Sequence, residues 1–156
     1  MRTLSTVVVA GVAAAGLAAP ALASSFTPTN AFFTAVGPVT ITTPQGTMQC
    51  TVTFVAVTTG GGEVEFLNAS LNGSDDNCFE NSFAGNPWYV TANGTRQGKI
   101  LAVSGFGAVF SPCGPGALPF SADNKTSVWT LKNATLPGNC TVSGSLTISP
   151  ATMIVP

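Results

Sequence analysis

Short segments in which apolar and polar residues alternate run through most of this chain. In 51–54 and 142–148 an apolar residue or a glycine occupies every second position, and threonine or serine lies between. A period of two is typical of β-strands with one buried face. The pattern predicts no amphipathic helix, and it predicts strands over 32–36, 38–43, 47–57, 63–71, 88–92, 99–110, 127–136, 140–149 and 152–155.

Clusters of turn-forming residues separate these segments, at 44–46, 60–62, 93–94, 122–124 and 137–139. They are rich in proline, glycine, asparagine and aspartate, which favour tight turns. Eight to ten short strands at this spacing predict an all-β, antiparallel fold. We expect a two-sheet sandwich or jelly-roll, with a flattened barrel as the alternative.

The first 23 residues have the features of a secretion signal. Arg2 supplies one positive charge, 7–17 is an apolar run, and Ala21-Leu22-Ala23 fits a cleavage site. Cleavage there leaves 24–156, or 156 minus 23 residues, which is enough for a single domain. We therefore expect a protein secreted to the periplasm or the exterior. No later stretch reaches the roughly 18 apolar residues that a membrane-spanning helix needs.

Charge is scarce beyond residue 23. This part of the chain has four Lys and Arg residues (five minus Arg2), six Asp and Glu residues and no histidine. The basic residues are dispersed in sequence, which argues against binding of nucleic acid. Hydrolytic and metal chemistry need convergent bases or ligands, so we expect no enzyme, no catalytic residues, no cofactor and no metal. The four basic residues are Arg96, Lys99, Lys125 and Lys132.

The four cysteines form an even set, which in an exported chain usually makes disulfides. The competing explanation, a structural zinc site, lacks both a C-x-x-C pair and histidine ligands. Three pairings are open to four cysteines. The cysteines are Cys50, Cys78, Cys113 and Cys140.

An internal similarity favours one of these pairings. The segments 64–73 and 128–138 both carry Asn-Ala-Ser/Thr-Leu, and each leads to a cysteine that follows the preceding cysteine by 28 or 27 residues. Chance matches are common in threonine-rich sequences, but the matched spacing favours two duplicated halves. Equivalent halves predict the bonds Cys50–Cys78 and Cys113–Cys140.

Two further segments suggest ligand sites. The acidic loop around Asp75 and Asp76 offers oxygen ligands for calcium, although its spacing does not match an EF-hand, and a solvated loop is the simpler interpretation. Trp88 and Tyr89 follow a turn, where an exposed aromatic pair can contact a sugar ring. A tryptophan at the start of a strand is, however, more often part of the core.

Several of these segments together resemble a known family. They are Phe33 to Thr40, Cys50 to Phe54, Pro87-Trp88, Cys113 to Gly116 and Cys140 to Leu146. They are similar to the small secreted bacterial proteins called protein activators of alkane oxidation. The resemblance implies an extracellular protein that promotes growth on alkanes by helping to disperse or take up oil, and it brings no catalytic residues.

Three functional hypotheses follow. The first is a non-enzymatic accessory protein that acts at a hydrocarbon or at a cell-surface polymer. The second is a structural subunit of an extracellular fibre or matrix, because weakly charged strands are prone to self-association at sheet edges. The third is a carbohydrate-binding module that uses Trp88 and Tyr89.

Overall fold

The structure, a computed structural model, describes residues 24–84, 87–107 and 113–156. The predicted signal peptide, 1–23, lies outside these residues, as does the end of the predicted strand 99–110. The all-β prediction is confirmed. In chain order the elements are β1 (Ser25–Thr27), β2 (Phe32–Thr43), β3 (Gly46–Thr58), β4 (Val64–Asn72), α1 (Asn77–Glu80), β5 (Asn81–Ala84), β6 (Trp88–Ala92), β7 (Gln97–Gly107), β8 (Gly116–Asp123), β9 (Val128–Leu136), β10 (Cys140–Ser149) and β11 (Met153–Val155).

Eight of the strands close into an antiparallel barrel. Their order around the barrel is β2-β3-β4-β6-β7-β8-β9-β10, and β10 pairs with β2 to complete the ring. The structure therefore does not show the two-sheet sandwich that we expected. It agrees with the alternative, a barrel, because the ring of strands is closed. Each barrel strand pairs with the next barrel strand along the chain. The topology is therefore an up-and-down meander whose last strand, β10, pairs with the first, β2.

Glycine permits this closure at the seam between β2 and β10. A Cβ atom at Gly37 would collide with the backbone carbonyl of Ser145, and one at Gly144 would collide with the carbonyl of Pro38. The two backbones therefore approach more closely than residues with side chains would allow. This contact joins the first and last strands of the barrel.

Aromatic side chains fill the barrel interior. The Trp129 ring stacks on Phe120 with ring centroids 4.4 Å apart, and it also contacts Phe26, Phe33 and Phe66 at 5.7 to 6.3 Å. All five side chains are at least 96% buried. Burial of such large rings supplies a large share of the hydrophobic stabilisation.

The short strands β1 and β11 pair with each other across one end of the barrel, which we call the upper end. They bring Phe26 and Ile154 into the core, each 1% exposed. The side chain of Asn124 holds β11 in place, because it donates to the carbonyl of Ile154 at 2.9 Å and accepts the N–H of Ile154 at 3.1 Å. The first and last strands of the described chain, β1 and β11, are thereby held together.

Both disulfides lie toward the opposite, lower end. Cys50 is bonded to Cys78, and Cys113 is bonded to Cys140. This is the local pairing that the matched cysteine spacing predicts. The two similar segments form β4 and β9, strands of nine residues each that lie four places apart in the ring of eight. They are therefore on opposite sides of the barrel, as equivalent halves require.

Candidate functional site

An exposed apolar surface lies on the outside of β2, β3, β4 and β6. A closed barrel directs alternate side chains of each strand outward, and on these strands several outward positions carry large apolar residues. We call this surface the apolar patch. Its members, with their exposed fractions, are Phe32 (66%), Val36 (36%), Val55 (39%), Leu67 (42%) and Tyr89 (51%).

Strand register brings these residues together. Phe32 is opposite Val57, Val57 is opposite Glu65, and Glu65 is opposite Tyr89, so the four side chains form one row across four strands. Directly opposed side chains in an antiparallel sheet are about 5 Å apart. Glu65 is the single charged residue in the row, and the apolar members on either side of it lie on adjacent strands.

A bulge in β4 adds to the patch. Val55 pairs with Asn68 and Ala56 pairs with Phe66, which leaves Leu67 as an extra residue without a partner in register. A bulge locally breaks the alternation of inward and outward side chains. Leu67 and its neighbour Asn68 are both exposed, whereas a strict period of two would place one of them inward. The bulge therefore puts Leu67 on the outer surface beside Asn68, which is opposite Val55.

The apolar patch differs from scattered surface hydrophobics. Phe79 and Met153 are also exposed, at 68% and 43%, but they lie on α1 and β11, outside the four strands of the patch. Single exposed apolar residues are normal, whereas several on neighbouring strands indicate a surface that contacts something apolar.

Basic side chains are grouped on the part of the barrel that follows the patch. All four Lys and Arg residues beyond residue 23 line two adjoining depressions of about 330 and 560 Å³ on the outside of β7, β8 and β9. Gln97 and Ser121 line both depressions. The two depressions are therefore continuous, and we call them together the basic groove. The basic side chains are Lys99 and Lys132 in the first depression, and Arg96 and Lys125 in the second.

The barrel order separates most of the apolar patch from the basic groove, and the two surfaces adjoin where β6 pairs with β7. In the ring of eight strands, β3 at the centre of the apolar patch is four places from β8 at the centre of the basic groove. The sequence showed the basic residues as dispersed, and the fold collects them. The apolar and the cationic side chains are thus grouped on different strands, and the two groups meet at Tyr89, which lies two residues along β6 from Thr91, the partner of Lys99.

One acidic residue lies in the basic groove. The carboxylate of Asp123 accepts the backbone N–H of Lys125 at 2.9 Å. This hydrogen bond, with one from the Thr126 side chain and the nearby positive charge of Arg96, holds the pKa of Asp123 below its usual value. Asp123 therefore stays anionic and partly offsets the charge of the second depression.

The structure separates the two predicted sugar contacts. Trp88 is completely buried, its ring packs against Phe54 and Phe83, and its indole N–H donates to the carbonyl of Ala84 at 3.1 Å. A ring in this position cannot contact a ligand at the surface. Tyr89 is half exposed and belongs to the apolar patch. The prediction that Trp88 and Tyr89 form one aromatic binding site is therefore corrected. Successive residues of a strand point to opposite faces, so Trp88 points inward and Tyr89 outward.

The acidic loop has a local structural role. The carboxylate of Asp75 accepts the backbone N–H and the side-chain amide of Asn77, both at 3.0 Å, and its carbonyl accepts the N–H of Cys78. These bonds support the start of α1.

Within 24–84, 87–107 and 113–156, no acidic, cysteine and histidine side chains form a group of three or more that could hold a metal ion.

Other features bear on the compartment. Two disulfides are typical of proteins that fold in an oxidising environment outside the cytoplasm. The described part of the chain contains no helix with the length and hydropathy needed to cross a membrane.

Comparisons with known proteins place the chain in a family. A search of curated proteins and a search of solved structures returned no match. A family model described as "Alkane oxidation protein activator PraA/PraB-like" matches residues 1–156. Because this match spans the whole chain, the protein belongs to the PraA/PraB-like family of alkane oxidation protein activators.

Proposed function

We propose that this protein is a secreted, non-enzymatic accessory protein that adsorbs to hydrocarbon through the apolar patch and promotes dispersal or uptake of alkanes. One observation carries the proposal: five exposed apolar side chains are grouped on four neighbouring strands of the barrel, and the basic side chains line depressions on the strands that follow. Membership of a family of alkane oxidation activators supports a hydrocarbon as the apolar phase.

The expected strength of adsorption follows from the exposed apolar area. Transfer of a half-exposed apolar side chain from water to oil contributes about 1 kcal/mol, so the five members of the apolar patch contribute about 5 kcal/mol. This is sufficient for reversible adsorption of a folded protein. The closed barrel and its two disulfides oppose unfolding at the interface, because unfolding would have to open a core that is already filled.

The grouping of apolar and basic side chains on different strands supports dispersal as well as adsorption. A droplet coated through β3 and β4 of the apolar patch would present the part of the basic groove on β8 and β9 to water. Like charges on two coated droplets repel at low ionic strength, and this repulsion opposes coalescence. The weak net charge of the whole protein does not prevent this, since the positive charge is concentrated on the exposed side.

We expect the triple substitution Phe32→Ser, Val55→Thr and Leu67→Ser to reduce partition onto hexadecane droplets about 100-fold. The three lost side chains contribute about 3 kcal/mol of transfer free energy. The measurement is the fraction of protein left in water after the droplets are removed by centrifugation. All three positions are solvent-exposed, so the fold should be preserved.

The matched control is the double substitution Phe79→Ser and Met153→Thr, which removes exposed apolar side chains outside the apolar patch. It should partition within about twofold of wild type, because the patch is intact. Equal losses in the control and in the triple variant would show that general surface hydrophobicity, and not the apolar patch, governs adsorption.

A further inference from the structure

The basic groove has the composition of a binding site for a negatively charged chain. Lys99 on β7 is directly opposite Pro119 on β8, and Lys132 on β9 lines the same depression. Among the residues that the structure describes, none with an acidic side chain lines this first depression. Two cationic side chains therefore lie on either side of the exposed Pro119 ring, with no carboxylate in that depression to neutralise them.

Neutral polar side chains complete the lining. Amides and hydroxyls alternate with the basic groups, and such groups can both donate and accept hydrogen bonds. They match the hydroxyls of a sugar, while the ring of Pro119 offers an apolar surface for the face of a pyranose. These neutral side chains are Asn93, Gln97, Ser121 and Thr130.

The second depression extends the site along the barrel. Arg96 and Lys125 line it together with Asp123, which leaves an excess of one positive charge. It shares Gln97 and Ser121 with the first depression. The two adjoining depressions together are lined by four cationic side chains and one anionic side chain.

We propose that the basic groove binds an acidic polysaccharide whose sugar units carry carboxylates. Lys99 and Lys132 pair with carboxylates of the polymer, and the amide and hydroxyl side chains bond its sugar hydroxyls. Opposite charges on the groove and the polymer provide complementarity, and the concave, polar lining fits a chain better than the flat surface of a membrane.

This inference goes beyond adsorption to hydrocarbon and does not rest on it. The basic groove and the apolar patch share no residue, and β8 and β9 of the groove lie four places around the ring from β3 and β4 of the patch. A protein adsorbed to oil through β3 and β4 of the apolar patch would leave the part of the basic groove on β8 and β9 free. The same molecule could then join an oil surface to a carboxylate-bearing polymer at a cell surface or in a matrix.

The test uses polygalacturonate as the acidic polymer and dextran as the neutral one, with binding measured by affinity electrophoresis of the full protein. We expect binding to polygalacturonate and none to dextran. The double substitution Lys99→Gln and Lys132→Gln should weaken binding about tenfold, the loss expected for two exposed ion pairs. Thermal unfolding verifies that the variant is folded.

A second pair of variants separates local charge from net charge. Asp123→Asn removes the acid inside the basic groove and keeps an oxygen that can accept the Lys125 N–H, so binding should strengthen about two- to threefold. Asp76→Asn changes the net charge equally but lies outside the groove, and it should leave affinity unchanged.

Three outcomes would overturn the proposal. The first is equal binding of wild type and the Lys99→Gln, Lys132→Gln variant to polygalacturonate. The second is equal strengthening by Asp123→Asn and Asp76→Asn, since net charge alone would then explain binding. The third is a concentration-dependent dimer, seen by sedimentation without polymer and lost in the double lysine variant, because the groove would then bind a second copy of this chain.

Discussion

Replacement of Trp88 by alanine should lower the free energy of unfolding by about 3 to 5 kcal/mol, as expected when a fully buried tryptophan is removed from a core. The substitution removes ring contacts with Phe54 and Phe83, and it leaves the carbonyl of Ala84 without the indole donor. Urea unfolding followed by circular dichroism would measure the loss.

The neighbouring residue provides the control. Tyr89 is half exposed on the opposite face of the same strand, so Tyr89→Ala should change stability by only about 0.5 kcal/mol. If Trp88→Ala barely affected unfolding but abolished retention on a glycan column, the buried position of this ring would be contradicted and the carbohydrate-module hypothesis would return.

Loss of one disulfide should have the next largest effect. The double substitution Cys113→Ala and Cys140→Ala removes a crosslink that closes a separation of 27 residues, and we expect a cost of about 2 to 5 kcal/mol. In the chain-entropy account, the crosslink stabilises the fold chiefly by restricting the unfolded chain. Thermal or urea unfolding of the variant would measure the cost.

Peptide mapping under non-reducing conditions provides the accompanying check. The variant should still yield a peptide that joins Cys50 to Cys78, because each bond is local to its own half. Recovery from the wild-type protein of a peptide that joins Cys50 to Cys113 or Cys140 would contradict the pairing and the duplication argument together.

The period of two was sufficient to predict most strands, but not all of them. The strand β8 was missed because its Gly116 and Pro119 indicate turns when they are considered alone. Its inward positions are nevertheless apolar, at Leu118, Phe120 and Ala122. The predicted strands 32–36 and 38–43 form one strand because Gly37 and Pro38 continue β2 at the barrel seam.

Closure of the barrel could not be predicted from local patterns. Alternation shows which residues face one side of a strand, but the same alternation serves a sandwich and a barrel. Pairing between β2 and β10 joins residues more than 90 positions apart, for example Thr42 with Thr141. Such pairing depends on the whole chain, and no short segment specifies it.

The two candidate surfaces were missed for the same reason. Lys99 and Lys132 are recognisable as outward residues of predicted strands, yet their meeting across Pro119 requires β7, β8 and β9 to be adjacent. Likewise, the apolar patch depends on the register of β2 to β6 and on the bulge at Leu67. The aromatic pair at Trp88 and Tyr89 attracted attention because its residues are adjacent in sequence.

The fibre hypothesis is affected by closure as well. Closure gives every barrel strand a partner on each side over at least part of its length, which reduces the free edge available for templating. Among the described residues, β1, β5 and β11 have a partner strand on one side, and β6 pairs with β4 only over Val64 to Phe66. Self-association through a strand edge remains a proposal, and it would have to use one of these short strands or an unpaired stretch such as the part of β4 beyond Phe66.

The most direct test of the central claim is a pendant-drop measurement of the interfacial tension between water and hexadecane. With wild-type protein at micromolar concentration, adsorption through the apolar patch predicts a clear fall in tension. The Phe32→Ser, Val55→Thr, Leu67→Ser variant should need about 100-fold more protein for the same fall. No fall with the wild-type protein, or equal falls for wild type and variant, would contradict the account.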